Sequence, residues 1–583
     1  MNRFYFNAHC AHSDFFRFLS IAIVFLLFSP SIFCYANESN VAFSPDDSVT
    51  EMVSTVGQLA HQGLAWLDWV VVACYVGGVL TLGWYYSRKQ SSTGEYFVGS
   101  MHMPPWLIGI SIYATLLSTI SYLAQPGEVI KHGPSFILGA LVSIVLSYFI
   151  VGYGLIPLIM KQRVTSAYEL LEAQLGLGGR LLGACMFIVL RLVWMSLLIY
   201  LATSALLVIM DLGSEWRPLL VMAIGLVAIT YTSLGGLQAV VITDCAQFCL
   251  LLLGALTTII MISFQSSSFF SWWPTQWVST WDNQPLFSLD PRIRVSVFGA
   301  LVSTLIWRVS TAGGDQTAIQ RFMATGDAIA ARKSYLVNTY ISIAVTLVLG
   351  LLGLALLGFF AEHPQMLPSG ATVSSSADHL FPYFIANYLP IGLSGLVVAA
   401  MFAAAMSSID SGVNSITAVV MTDFLDRFGL RPKSEATHLR YAMYLAFVIG
   451  LIVVYLSSFL EHVTGNFLAV TEKTDGLLAA PIFCLFILAL FVTFSKPLGA
   501  LIGAIYGIAA ATLVAFWDNI TGQPSLSFQW IGLYALVINL SVSTLVSYFG
   551  PRRDNLKANL LLGAILIIFL FAILTLILKY VEI

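Results

Sequence analysis

Charge is what this chain has least of. Asp, Glu, Lys and Arg make up 9% of its 583 residues, 58% are hydrophobic and the mean hydropathy is +0.88. That balance excludes a soluble enzyme and leaves a polytopic helical membrane protein. The net charge of −3 is too small to imply a nucleic-acid partner. Cysteine is scarce as well: Cys74, Cys185, Cys245, Cys249 and Cys484 fall in apolar runs without metal-ligand spacing. Cys245 and Cys249 share a helix face, yet bring no His or Cys partner, so they read as buried structural thiols. A membrane-bound enzyme would need a His/Glu or Ser/His cluster at one depth. His102, His132, His363, His379, His438 and His462 are instead scattered over loops and span ends. Rings of charge or carbonyls, which a channel pore requires, find no subunit-like repeat here.

Long apolar runs, by contrast, are abundant. Segments of about 20 residues suited to a bilayer fall near 66–86, 104–126, 134–160, 179–211, 217–234, 238–264, 295–316, 335–361, 389–424, 437–460, 465–494, 497–518, 527–549 and 557–580, fourteen in all. Before them, Arg17, the short apolar run Phe18–Phe28 and the small residues Cys34 and Ala36 read as a signal peptide over 1–36, with an uncleaved extra span as the alternative. An extracytoplasmic segment, 37–65, follows. With the first span running inward, the inner loops hold Arg88, Lys89, Lys161, Arg163, Arg321, Arg332, Lys333, Arg427, Arg431, Lys433, Arg440, Lys496, Arg552, Arg553 and Lys557. The outer side holds only Lys131, Arg217, Arg292, Arg294 and Lys579. This bias places both termini outside a cell (plasma or inner) membrane. The outer segment Trp272-Trp273-Pro274 with Trp277 and Trp281 reads as an interfacial anchor or as a cap over a binding site.

Polar groups inside these runs carry the functional signal. Along Ala403–Ser415, Ala404, Ser407, Ser408, Ser411 and Asn414/Ser415 share one helix face, with Asp410 on its flank. Small hydroxyl residues can simply pack against a neighbouring helix. A carboxylate near mid-bilayer costs roughly 2.5–3.5 kcal/mol on insertion scales, which favours a cavity, an ion or a partner. The second run holds Ser111, Thr115, Ser118, Thr119 and Ser121, then Gln125-Pro126-Gly127-Glu128. A helix interrupted there exposes carbonyls, hard donors for Na⁺, although Ser and Thr can also satisfy themselves on the previous turn. Asp244 lies two turns into the sixth run, either a helix-end acid reached by water or a partner of the Asp410 stripe. In the seventh, Arg308 precedes Gly313-Gly314-Asp315, whose glycines let the backbone leave the helical ladder beside a cavity. Arg191 lies in the fourth. Each arginine either neutralises a structural acid or offers a fork for a carboxylate.

With these residues the chain resembles the sodium:solute symporter family, which includes sodium-coupled sugar, proline, sialate, iodide, monocarboxylate and multivitamin carriers. The likeness runs from about Trp66 to Lys496. Thr165-Ser166-Ala167-Tyr168-Glu169-Leu170-Leu171-Glu172 resembles the family's T-S-A-Y-E-x-L-E segment, and Gly235–Val240 with Thr243-Asp244 and Gln247 its G-G-L-x-A-V…T-D-x-x-Q. Asp315-Gln316 with Gln320-Arg321 is similar to D/N-Q…Q-R, and Ala404–Ser415 to A-A-x-M-S-S…N-S. Four motifs in order are specific. The resemblance implies an all-α LeuT-like fold with inverted five-helix repeats at 104–264 and 295–494, a peripheral helix at 66–86 and three C-terminal peripheral helices over 497–583. It also implies Na⁺ as coupling ion, alternating access, a small-molecule substrate and lipid surroundings; nothing points to an obligate protein partner.

Carried over position by position, the first Na⁺ site would use carbonyls of Ala114, Leu117 and Ala404 with hydroxyls of Ser407 and Ser408. A second Na⁺ or H⁺ site would map to Asp244, Ser411 and Asp410, where relatives carry a hydroxyl at the last position. Arg308, at the position of the sugar carriers' seventh-span contact, together with Arg191, Ser121 and Thr311, forms the candidate substrate set. Pro126-Gly127-Glu128 and Gly133 look like the P-x-E…G of the monocarboxylate, vitamin and iodide branch, although Ile130 and Lys131 depart from it. A small organic anion bearing a carboxylate is the expected substrate; sugar or proline-type symport and a transporter-like solute sensor are the alternatives. Glu472 and Lys473 are candidates for an outer gate, or for an ion pair that only steadies their helix.

Overall fold

The computed structural model describes residues 64–549, except 89, 91, 100, 101, 117, 118, 280, 283, 368–370 and 459–466. The expected signal peptide, nearly all of 37–65, Leu117 and the last expected span at 557–580 lie outside the described residues. Every regular element among the described residues is helical. Ten helices are long and apolar enough to cross a membrane, eleven if one bent pair counts as a span.

At the centre stands α12 (Leu393–Val419), continued by a π-helical turn to Asp426; 94% of its membrane-length window is buried, against 22% for α1 (Trp66–Ser87). Alanine, serine and glycine make this possible, because they let neighbours approach closely on every side. The start of α12 is fixed from α1: buried Asp68 accepts from Gly392 N (2.7 Å), Gly395 N (2.8 Å) and Ser394 Oγ (3.1 Å). The carboxylate satisfies amide donors that a helix N-terminus leaves open.

After the short α2 (Thr93–Val98), α3 (Pro105–Leu116) and α4 (Thr119–His132) run around α12, bent by 61° relative to each other. They are followed by α5 (Ser135–Phe149, continuing to Ile159) and α6 (Glu169–Ile209). α7 (Arg217–Gln265) is a hairpin rather than one rod. At 1.5 Å per residue its 49 residues would reach about 74 Å, over twice the hydrocarbon thickness. Gly236, at φ 58°, reverses the chain, and Tyr231 Oη and Gln247 Nε2 meet at 3.5 Å across the turn. The expected division between 234 and 238 falls at this turn.

The chain continues through α8 (Val297–Gly314), α9 (Gln316–Met323), α10 (Ala328–Glu362) and α11 (Ala377–Tyr388), then past α12 to α13 (Glu435–Ser457), α14 (Phe467–Gly476) and α15 (Ala479–Phe491). The α8–α9 break corrects the sequence reading. Gly313 and Gly314 stay helical, and it is Asp315, in extended conformation, that leaves the ladder and caps α9 through Thr317 N (2.7 Å). The two glycines serve packing: a Cβ on Gly313 would lie 2.5 Å from the Phe483 ring, and one on Gly314 3.0 Å from Phe483 Cα.

Finally, α16 (Pro497–Ala515) and α17 (Ile531–Phe549) pair through a small-residue stripe. Gly499, Gly503 and Gly507 lie against Ser547, Ser543 and Asn539, and a Cβ at Gly503 would fall 1.8 Å from Ser543 Oγ. Such spacing by four residues brings helix backbones together where lipid offers no hydrophobic drive.

Candidate cation and substrate sites

The polar face of α12 meets a different element at nearly every turn. Ser408 Oγ donates to the Thr115 carbonyl at 3.0 Å, in the last turn of α3. Carbonyls of that turn have no partner further along their own helix, because α3 stops at Leu116. Ala114 and Ala404 are buried beside them. Ser407 Oγ, however, donates to Asp244 Oδ1 at 2.5 Å. Of the five residues expected at the first cation site, Ser408 is bonded to the last turn of α3, which also carries Ala114, while Ser407 turns to Asp244; Leu117 lies outside the described residues. Carbonyl and hydroxyl oxygens of this kind suit a hard monovalent cation.

The second expected site is not assembled as foreseen. Asp244 accepts from Ser111 Oγ (2.5 Å) and lies 3.1 Å from Arg321 Nη2, which also donates to Ser411 Oγ (2.5 Å). Arg321, assigned from sequence to an inner loop, is fully buried. Its Nε reaches Ser111 Oγ (2.8 Å) and its Nη1 the Thr317 carbonyl (3.0 Å). Asp410 shares none of these partners: both its oxygens accept hydroxyls, from Tyr231 and Thr232 in the first arm of α7. Two acids read as a pair therefore face separate environments, one an ion pair and the other a tyrosine–threonine cradle. A buried carboxylate needs such compensation, and the guanidinium of Arg321 supplies it to Asp244.

Beside the α3–α4 break lies a cavity of about 100 Å³. Ser121 and Gln125 line it from α4, Trp194 from α6, Trp307 and Arg308 from α8, Ser342 and Thr346 from α10, and Thr471, Glu472 and Asp475 from α14. Arg308 donates to Ser342 Oγ at 3.4 Å and, among the described residues, has no carboxylate within ion-pair distance. The buried Oε1 of Gln125 has no hydrogen-bond partner. Of the four expected substrate residues, Ser121 and Arg308 reach the cavity. Arg191 and Thr311 do not. Arg191 is bound to Asp315 (Nε–Oδ2 3.0 Å) and to Thr317 Oγ1 (3.3 Å), clamping the α8–α9 break. Thr311 is buried inside α8, where its carbonyl accepts from Asp315 N (3.2 Å).

The Glu472–Lys473 pair also separates. Glu472 lines the cavity and accepts from Ser303 Oγ (3.3 Å), whereas Lys473 Nζ lies 5.7 Å from the Phe516 ring centroid. Asp475, which takes the Trp307 indole N–H, was missed as a site residue. Its position three residues after Glu472 puts both acids on one helix face and was the available signal.

Two sets of contacts close the ends of the bundle. At the end carrying Lys161 and Arg163, Arg180 Nε bonds Asp423 (2.6 Å), Arg180 Nη1 bonds Glu172 (2.7 Å), and Arg427 bonds Glu172 (2.6 Å). Gln316 bridges the same region, accepting from Ala167 N (2.6 Å) and donating to the Thr165 carbonyl (2.8 Å). At the other end, Arg294 forks onto Glu128 (2.6 and 2.8 Å), and Trp281 Nε1 donates to the Ile130 carbonyl (3.2 Å). Trp272 and Trp281 are buried while Trp273 and Trp277 are exposed. The tryptophan segment thus divides between packing over the bundle and an outward face.

Comparison with known proteins places this geometry. The model of the sodium:solute symporter family matches residues 96–507, well over half the chain. The chain belongs to the sodium:solute symporter family. It is 28% identical to the sodium/sialic acid symporter of Aliivibrio fischeri, over 85% of this chain and 96% of that protein. With human sodium-coupled monocarboxylate transporter 1 it shares 26% identity, over 78% of this chain and 73% of that protein. A solved structure of a Na⁺-coupled sialic acid symporter, substrate-bound and outward-open, superposes with a TM-score of 0.70 at 25% identity, covering 84% of this chain and all of that one. As a member of the family, the chain is a multi-pass, Na⁺-coupled solute symporter, and not an enzyme.

Proposed function

We propose that this symporter imports a small organic anion through its carboxylate, which Arg308 receives in the cavity beside the α3–α4 break. The observation that carries the reading is a guanidinium lining that cavity without an acidic partner among the described residues. An arginine fork matches a carboxylate in geometry and charge. The relatives bear on it from both sides: sialic acid and monocarboxylate carriers are named for acids, while a sodium/glucose cotransporter of Vibrio parahaemolyticus, 26% identical, is named for a neutral sugar.

Na⁺ binds between the end of α3 and α12, held by carbonyls of Ala114, Leu117 and Ala404 and hydroxyls of Ser407 and Ser408. The Ser408–Thr115 contact supports this. Because the site touches the break that also borders the cavity, ion and substrate order the same backbone. That is the physical basis of coupling. Repeats at 104–264 and 295–494 each begin with a broken helix, α3–α4 and α8–α9, and each supplies five spans if α7 counts as two. Fourteen spans after a signal peptide, both termini outside, and a basic cytoplasmic end closed by Arg180, Asp423 and Glu172 complete the picture. Alternating access then opens either end in turn, with Glu472 on the outer path.

In proteoliposomes, Arg308→Gln lowers the affinity for a carboxylate substrate by roughly 10- to 100-fold, the equivalent of a charged hydrogen bond of about 1.5–3 kcal/mol. Na⁺-dependent uptake of a neutral sugar, unchanged in Arg308→Gln, would refute the proposal.

A further inference from the structure

The cavity is lined by groups of both charge signs. Arg308 stands at the α10 wall, beside Ser342, while Glu472 and Asp475 stand together on α14. Among the described residues neither acid takes part in an ion pair; Glu472 accepts from the Ser303 hydroxyl and Asp475 from the Trp307 indole N–H, both neutral donors. Lys473 turns to Phe516, and Arg191, whose charge acts on Asp475, is itself ion-paired with Asp315. A simple monocarboxylate docked on Arg308 would therefore share a water-poor space with two further carboxylates. Like charges at such range repel strongly when poorly solvated.

We infer that Glu472 and Asp475 form a cation-recognising pole in the cavity that Arg308 also lines, so that the preferred substrate is a zwitterion carrying an amino group as well as a carboxylate. This rests on the carboxylate reading and narrows it. The carboxylate meets the guanidinium, and the ammonium donates to the two acids. The unpaired amide oxygen of Gln125 is a further acceptor in the same cavity. Glu472 and Asp475 are then specificity-determining residues, acting through charge on the substrate's second end.

The test uses the full-length protein in lipid nanodiscs with saturating Na⁺, and measures binding of ω-amino acids of three to six carbons beside the unsubstituted carboxylates and the primary amines of equal length. For at least one length the amino acid binds at least 10-fold more tightly than both single-charge analogues. Glu472→Gln and Asp475→Asn shift the two kinds of acid in opposite directions: the amino acid weakens at least 5-fold, and the plain carboxylate tightens because a like charge is gone. Both variants keep the parent's melting temperature, which separates recognition from folding. If plain carboxylates bind as well as the amino acids and still need Arg308, the acidic pole is refuted while the carboxylate reading stands. If neither kind of acid depends on Arg308, both readings fall.

Discussion

Ser408 and Arg321 show how differently two residues of one polar layer act. Ser408 is bonded to the end of a broken helix, where its hydroxyl is available to a cation. Its replacement by alanine removes one of five proposed ligands, so the apparent Na⁺ affinity of uptake falls about 10-fold, the effect of losing roughly 1.4 kcal/mol, while thermal stability is retained. Arg321 is structural. Arg321→Gln strands Asp244 in the core, at a cost of roughly 3–5 kcal/mol, and the melting temperature in detergent drops accordingly. Adding Asp244→Asn to that variant recovers much of the loss, because a buried pair removed whole costs less than one broken. The sequence showed that Asp244 and Asp410 were costly acids but not where each would turn. Arg321 was hidden because a Q-R pair after a glycine-rich turn resembles a loop, and only the α8–α9 break carries it back beneath α12. Arg191 and Arg308 are similar in sequence, each a lone cation in an apolar run. Their fates part on a three-dimensional fact, whether Asp315 lies within reach.

Helices were far more legible than side-chain partners. Apolar length alone located α1, α10, α12 and α13 to within several residues, since the bilayer imposes both composition and span. Breaks were legible only in part. Gly236 reverses α7 between the two expected runs, at a positive φ where a side chain would also strike Tyr96 O at 2.9 Å and Gln90 Nε2 at 2.7 Å. Gly236→Val therefore costs about 1–3 kcal/mol from the backbone alone, measurable as lower thermal stability and lower yield of folded protein. Gly313-Gly314 carries the same sequence signal but a different role, close packing on Phe483, because glycine marks either an unusual dihedral or a close approach. The α16–α17 stripe is a pure case of the second. Gly503→Leu forces these helices apart and destabilises by on the order of 1–3 kcal/mol, while Tyr506→Leu, on the exposed side of α16, leaves the melting temperature within a degree or two.

At the scale of the whole molecule, family motifs occupy the joints of the bundle. The Thr165–Glu172 segment meets Gln316, Arg180 and Arg427 at one end, and the Ala404–Ser415 face meets α3, α7 and α9 at the centre. That is why the family was recognisable from motifs while the substrate was not: the motifs fall at joints of the bundle, whereas Arg308, Glu472 and Asp475 line the cavity outside them. The most direct test of Na⁺-coupled carboxylate import is tracer uptake in proteoliposomes across a panel of carboxylates, amino acids and sugars, with and without an inward Na⁺ gradient. The expected result is concentrative uptake of a carboxylate-bearing solute that collapses when Na⁺ is replaced by K⁺ and is severely reduced in Arg308→Gln. Uptake of such a solute indifferent to Na⁺, or Na⁺-driven uptake confined to neutral sugars, would contradict the account.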